Sequence, residues 1–482
     1  RGELPPPIRG RTLQAWDARN GRELWQIPTD AVVDWLSYSE SLDVLMASTK
    51  KRIHAYSGRT GRELWHKYSE GIGFRGHPGR VWQKVILWHD WMIDQRGPGL
   101  AYDLLTGKQV TRLHPVTLKP VPWEFIRNGH HCNHGVGSEN FLTFRSGDAT
   151  FVDLTTLGTG SFPGYRSGCT NSVLPAAGVM SSPMFAHLCV CGYEFYTALA
   201  FAHKPDHDLW TYRPNKADFV KEASVGRVRR LGLNVNAPGD RRSANGTLWF
   251  GLSRARRRSY SIAGLPMNWG GTTAFEIGGV TAPEGMPPWV FRTGVEGIKT
   301  LNVPLSPDKD IPESLYTVRV YLAEPSADKK AGERVFSISI DGTEVLSGVD
   351  IVKEAGGGLR GLVKEIEGVK GGATMSLAFA ATHGTPVVCG VEVLDPDAPT
   401  IPPEVHSAVV EAKPGVSKDI DLRCTDLDGP GPLTFRVTAS PTKGTLSGIG
   451  ATVSYTASTG AFGEDQFRWL ANDGKVDSTE AT

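Results

Sequence analysis

The sequence is short of several things, and each shortage narrows the reading. Across 482 residues there is no run of 18 apolar residues, so nothing in this stretch is a helical bilayer span. Charge of one sign is not in excess: 52 Lys and Arg face 51 Asp and Glu, which gives no electrostatic drive towards nucleic acid or an anionic membrane, and a neutral ligand fits better. Long stretches with a 3.6-residue apolar period are missing, which argues against a helical architecture. No signal peptide is visible, but the chain opens at Arg1 inside a repeat and stops at Thr482 before its last repeat is complete, so a longer parent protein is expected. Cysteine is scarce. The six present are an even number in a Trp-rich chain, which points to an oxidising compartment.

What the chain has in quantity is punctuation. Gly (56) and Pro (32) separate short segments such as TVRVYLAE and VFSISI, whose β-branched and aromatic content reads as strands. The length exceeds what one core supports, roughly 250–300 residues, so two to four all-β domains are expected.

The first 110 residues repeat themselves. LQAWDARNGRELW from Leu13, IHAYSGRTGRELW from Ile53 and LAYDLLTGKQV from Leu100 place Gly21, Gly61 and Gly107 at equivalent positions, 40 and then 46 residues apart. A period of this size belongs to propellers and related arrays. Each copy reads as a strand, a tight turn with glycine at positive φ, and a second strand, with Trp25 and Trp65 docking neighbouring copies. Looser copies near Asp153 and Trp210 bring the count to about five blades. The copies resemble the repeats of pyrroloquinoline-quinone-type propellers, whose motif is similar to A-x-D-x-x-T-G-x-x-x-W. In that family the repeat is structural and serves both dehydrogenases and non-enzymatic scaffolds. The dehydrogenases bind quinone beside a vicinal cysteine pair, whereas here Val190 separates Cys189 from Cys191, which argues against pyrroloquinoline quinone.

Between the propeller-like copies lies a Cys and His constellation: His130, His131, Cys132 and His134, then Cys169, His187, Cys189 and Cys191. Imidazole and thiolate together suit Zn²⁺, though the spacing matches no standard zinc finger or ribbon. The alternatives are two disulfides among Cys132, Cys169, Cys189 and Cys191, or free thiols. The RSGC-T-N and C-x-C stretch also resembles large exported propeller proteins of planctomycete-type bacteria. A catalytic reading uses His130, His131, His134, Arg145, Tyr165 and Arg166 as a polysaccharide lyase, with His or Tyr removing the proton α to a uronate carboxyl and Arg neutralising the carboxylate.

From Arg230 to about Leu394 the motifs are more specific. RLGLNVNAPGDRRSANGTLWF, with Asn234, Asn236, Gly239, Asp240, Gly246 and Trp249, is followed by FRTG, YTVRVYLAEP, RVFSISIDGTEVLSGVDIVKEAGG and VVCGVEVL. This order resembles the malectin family, with Pro238 standing where the family carries its second glycine. The resemblance implies a jelly-roll-type β-sandwich that binds carbohydrate on loops at one edge, aromatic rings stacking on sugar faces. The long Arg254–Trp289 loop offers Tyr260, Trp269 and Trp289 for that role. Its RARRRSY segment reads either as a site for acidic glycan groups or as a solvated basic loop. Trp249, Glu324 and Asp350 read as core-edge and turn residues.

DPDAPTIPP is an extended linker. Beyond it, DIDLRCTDLDGPGPLTFRV and FGEDQFRWLANDG resemble the cadherin-like and immunoglobulin-like repeats of bacterial surface proteins, which act as spacers. Asp426, Asp428 and Asp473 are oxygen donors that suit Ca²⁺ at a junction, although DLDG is also an ordinary turn.

The expected organisation is therefore a partial quinoprotein-like propeller over 1–225, a malectin-like sandwich over 226–396, a Pro-rich linker over 397–403 and a truncated immunoglobulin/cadherin-like repeat over 404–482. The expected role is an extracellular, cell-surface or periplasmic protein that binds oligo- or polysaccharide, with the propeller as scaffold. The alternatives are a glycan-active enzyme and a structural envelope component whose partners are other envelope proteins or copies of itself.

Overall fold

The structure, a computed structural model, describes residues 12–49, 52–68, 85–95, 99–125, 135–146, 148–154, 159–162, 173–183, 198–202, 226–237, 241–252, 272–426, 428–429 and 431–482. The architecture is all-β. Among the described residues the one α-helix is the five-residue Ile351–Ala355, whose first turn is capped by Asp350 and whose end is closed by Gly356 at φ 77°.

The N-terminal part is a succession of antiparallel meanders. Thr12–Trp16 pairs with Glu23–Pro28, and Val33–Ser39, Val44–Thr49, Arg52–Ser57 and Glu63–Tyr68 form a four-stranded sheet in chain order. Val85–Trp88, Trp91–Asp94, Gly99–Asp103 and Glu124–Phe125 form a second, and Val136–Gly137, Phe141–Ser146, Asp148–Asp153 and Thr159–Phe162 a third. Leu174–Ala176, Val179–Ser182 and Leu199–Ala202 follow as a three-stranded sheet.

The repeat explains how successive copies meet. Gly21, Gly61 and Gly107 all adopt positive φ, at 71°, 67° and 67°. Two of them carry a second constraint. A Cβ on Gly61 would lie 2.7 Å from the Trp25 ring, and one on Gly107 would lie 2.6 Å from the Trp65 ring. Each indole also donates its Nε1 proton across the copies, Trp25 to the Gly58 carbonyl and Trp65 to the Leu104 carbonyl, both at 2.8 Å. The tryptophan of one copy thus lies on the glycine of the next.

The middle of the chain is a two-layer sandwich. One layer runs Arg241–Arg242, Leu248–Leu252, Arg230–Val235, Gly390–Leu394, Ser314–Ala323 and Gly361–Gly371; the other runs Thr300–Pro304, Thr374–His383, Val335–Ile340 and Thr343–Val349. Alternation does the folding here: Phe336, Ile338 and Ile340 point inwards from VFSISI to meet Leu231, Leu233, Val318, Val320, Leu377 and Val391 in one core. The hairpin turns at Asp341-Gly342, both at positive φ (48° and 84°), as the Asp-Gly pair predicts. Thr273–Glu276, Thr293–Glu296 and Val387–Val388 add a small third sheet.

The C-terminal residues build their own core around Ile420, Val453, Tyr455 and Trp469. They dock on the N-terminal meanders through a buried histidine. His406 Nδ1 donates to Asp90 at 2.9 Å, the Ser407 amide donates to the other oxygen of Asp90 at 2.9 Å, and the His406 ring sits edge-on to Trp88 and Trp91. Beside it, Arg423 donates to His89 Nδ1 at 2.5 Å, which requires that nitrogen to be unprotonated. Burial pushes the His89 pKa down to about 4; His406 and Arg423 press the same way, and Glu139 and Asp90 oppose them.

Two predictions follow from these contacts. Gly21→Ala meets only the positive φ, since nothing lies within 4 Å of the added atom, and should cost about 1 kcal/mol. Gly61→Ala should cost about 1–3 kcal/mol more, because the Trp25 ring must move; equal losses in denaturant unfolding would refute the docking role of Trp25. For His89 the folded pKa is depressed below its usual 6.5, so the docking stability is present above about pH 6.5 and is lost as the pH falls towards about 4. Hydrogen exchange at the Ser407 and Val409 amides should rise over that window, and His89→Gln, which still accepts from Arg423, should flatten the rise.

Candidate functional site

Arg230–Val235 and Leu248–Leu252 are parallel, Val235 opposite Leu252, so both strands end at the same edge of the sandwich. Asn236 turns there at φ 62° and donates its side-chain amide to the Phe275 carbonyl at 3.3 Å. Asn234, two residues earlier, is fully buried and accepts from Thr293 Oγ1 at 3.3 Å.

Behind this edge stands an aromatic wall. Trp249 is fully buried, and its ring reaches across glycines on the next two strands of the sheet: a Cβ on Gly232 would come within 2.3 Å of it and one on Gly390 within 3.0 Å. Trp289 and Tyr321 meet it edge-on at centroid distances of 5.9 and 4.9 Å. The wall rests on a buried carboxylate. Glu392 accepts from Thr247 Oγ1 (2.6 Å), Tyr321 Oη (2.9 Å), Asn245 Nδ2 (3.0 Å) and Arg319 Nη1 (3.3 Å). Burial first, and the Glu392 charge second, push the Tyr321 phenol well above its ordinary pKa, so it stays a donor. A second buried pair, Arg334 to Glu324 at 2.7 Å, ties the neighbouring strands.

Trp289 requires a correction. Its ring was expected to stack on sugar, but it is 6% exposed, edge-on to Trp249 and covered by the Arg241 guanidinium at 5.1 Å. A ring so placed has no free face for a sugar; it props the edge from within. Tyr260 and Trp269, and the basic Arg254–Arg258 run, lie outside the described residues. Trp249, Glu324 and Asp350 are all buried and act in packing, pairing and helix capping. Arg319 and Glu392 were not singled out from sequence, although a glutamate inside the apolar VVCGVEVL strand was a legible signal of a buried partner.

Of the lyase candidates, only Arg145 falls among the described residues. Arg145 is fully buried on the Phe141–Ser146 strand, opposite Ala149, and so presents nothing to a polymer. This corrects its expected role as a substrate-facing group. His130, His131, His134, Tyr165 and Arg166 lie outside the described residues, as do Cys132, Cys169, Cys189 and Cys191. Cys389, buried, and Cys424 are free thiols, and no disulfide occurs among the described residues.

Asp426, Asp428 and Asp473 do converge, each offering a carboxylate oxygen within 4.8 Å of the others. Asp428 accepts from the Ile401 amide at 3.2 Å and lies 3.8 Å from Arg230 of the sandwich. Asp473 accepts from the Lys475 and Val476 amides, both at 2.7 Å, and these bonds, the Val476 amide's above all, lower its pKa. Asp426 Oδ2 is buried without a hydrogen bond; burial, then the charges of Asp428 and Asp473, raise the Asp426 pKa. Three hard oxygens with one partner-less carboxylate oxygen suit Ca²⁺ better than a softer ion.

Comparison with known proteins bears on the sandwich. Residues 309–401 match the malectin-domain family. The match covers the Ser314–Ala323 strand through the closing Gly390–Leu394 strand, and the Arg230–Val235 strand, which lies before the matched span, pairs directly with the latter in the same sheet. No curated protein sequence matches the chain. Among solved structures it is similar to the Bacteroides uniformis β-glucuronidase, at 16% identity over 55% of this chain and 29% of that one, with a TM-score of 0.30. It is also similar to the ANX2 ectodomain from Arabidopsis thaliana, at 17% identity over 34% of this chain and 48% of that one, with a TM-score of 0.25. The chain spans less than half the length of either protein.

Proposed function

We propose that this protein binds carbohydrate at the loop edge of its malectin sandwich, as a module of an exported surface or envelope protein. The observation that carries the reading is the malectin-family match over residues 309–401, on a sandwich with a buried aromatic wall at that edge. The near-equal charge count supports a neutral ligand. In this reading residues 1–225 are a quinoprotein-like propeller platform, 226–396 the glycan contact, 397–403 a linker and 404–482 an immunoglobulin/cadherin-like spacer.

Retention on a glycan array, without new unsaturated uronate ends after incubation with polysaccharides, is the expected outcome. Tyr260→Ala or Trp269→Ala should weaken retention about tenfold or more if either ring is an anchor. Unsaturated product would move the activity to the His130, His131 and His134 region and sink the binding-only reading.

A second reading concerns the joint. We propose that Asp426, Asp428 and Asp473 hold Ca²⁺ where the C-terminal residues meet the sandwich; the convergence of the three carboxylates favours it. Calcium at about 100 times its dissociation constant should then stabilise the fold by about 2.7 kcal/mol. Asp473→Asn should abolish the gain, and a melting temperature indifferent to calcium and chelator would rule the site out.

A further inference from the structure

The second repeat copy carries a group of side chains that the repeat itself does not need. In the Arg52–Ser57 and Glu63–Tyr68 pair, His54 stands directly opposite His66. Their rings share one face of the sheet, with centroids 5.7 Å apart. The register slips between Ala55 and Tyr56, leaving Leu64 as the extra residue of a bulge. That slip brings Glu63 onto the same face as His66. Its Oε1 lies 2.5 Å from His66 Nδ1 and 3.5 Å from His54 Nδ1.

The internal repeat supplies a control. The Thr12–Trp16 and Glu23–Pro28 pair has the same slip, between Ala15 and Trp16, and the same glutamate at its start, Glu23. At the histidine positions it carries Gln14 and Gln26, which simply hydrogen-bond to each other at 2.8 Å. The third copy has Leu100 and Arg112 at those places. Folding of the repeat is therefore served by pairs that cannot both ligate, and the two imidazoles belong to the second copy alone.

His54 decides what the group can hold. Its side chain is 5% exposed, and its Nε2 faces Asp30 Oδ1 at 3.4 Å, the geometry of a ring N–H donated to a carboxylate. The proton on Nε2 leaves Nδ1 as an acceptor. That Nδ1 is buried with no hydrogen-bond partner, and the Glu63 carboxylate, another acceptor, lies 3.5 Å from it. Two acceptors face each other across 3.5 Å, and only a proton or a metal cation between them is favourable. Arg52 does not fill the gap: its Nε faces Asp30 Oδ2 at 3.6 Å and its guanidinium lies over the Tyr68 ring, donating to the Tyr68 hydroxyl.

We propose that His54 Nδ1, His66 Nδ1 and Glu63 Oε1 bind a borderline divalent transition-metal ion of the Zn²⁺ class. Ligands at 2.0–2.2 Å in a tetrahedron stand about 3.3 Å apart. One ligand atom from each of the three residues already lies within 4.8 Å of the others, and small side-chain shifts close the set. Two imidazoles and a carboxylate select such an ion over the hard cations that suit the aspartate triad. Asp30 is the positioning residue, holding the tautomer that aims Nδ1 at the metal. His66 and Glu63 are exposed, so the fourth position opens to solvent and to an incoming ligand oxygen or nitrogen.

The test is a Zn²⁺ titration of the chelator-treated full chain, with Co²⁺ absorption as a second readout of tetrahedral nitrogen ligation. His54→Gln with His66→Gln installs the pair that the first copy already uses, so the metal-free melt should stay as in wild type while the stoichiometry falls by one ion per chain. Asp30→Asn should weaken the same ion about 10–100-fold. An unchanged stoichiometry in the double variant would show that any bound zinc sits elsewhere, at the Cys and His constellation, and would overturn the proposal; no zinc uptake by wild type would leave only a proton between the two acceptors and overturn it equally. If the double variant does not fold, diethyl pyrocarbonate labelling of wild type decides: Zn²⁺ should protect His66, and unaltered labelling counts against the site.

Discussion

An indole lying flat on a glycine is the contact on which the two largest parts of this structure depend. Trp25 lies on Gly61, Trp65 on Gly107, and Trp249 across Gly232 and Gly390. In each case the absent Cβ lets a large apolar ring reach the backbone of a neighbouring strand or turn, which removes apolar area from water without opening a void. In the meanders the contact joins one sheet to the next. In the sandwich it anchors the wall behind the loop edge, and the buried Glu392 with its four donors fixes that wall from the other side.

This use of the aromatics changes how function is distributed. Large rings in a suspected carbohydrate protein invite assignment to the sugar, yet Trp249 and Trp289 are spent on rigidity. The edge they support is therefore held still. Elsewhere polar groups are concentrated at junctions: Asp90, His89 and His406 where the C-terminal residues meet the meanders, and Asp428 with Arg230 where they meet the sandwich.

Particular residues show how far the sequence could be read. The alternation in VFSISI, the Asp341-Gly342 turn and the repeat glycines are local signals, since strand period and positive φ are written in neighbouring residues. The order of malectin motifs was legible for the same reason. Trp289 was misread because aromatic content and loop position say nothing about whether a ring points into solvent or into Trp249. Arg145 was misread likewise: an arginine beside a strand end looks available until its burial is known.

The sequence by itself determined an all-β chain with repeated strand–turn–strand units and a malectin span, because periodicity, turn residues and ordered motifs act over short distances. Only the tertiary structure decided which residues meet. It brought Asp426 and Asp428 to Asp473, His406 to Asp90, and, through one slipped register, Glu63 to the His54 and His66 pair. Those encounters are set by sheet pairing and by one sheet packing on another, whose geometry no local pattern encodes.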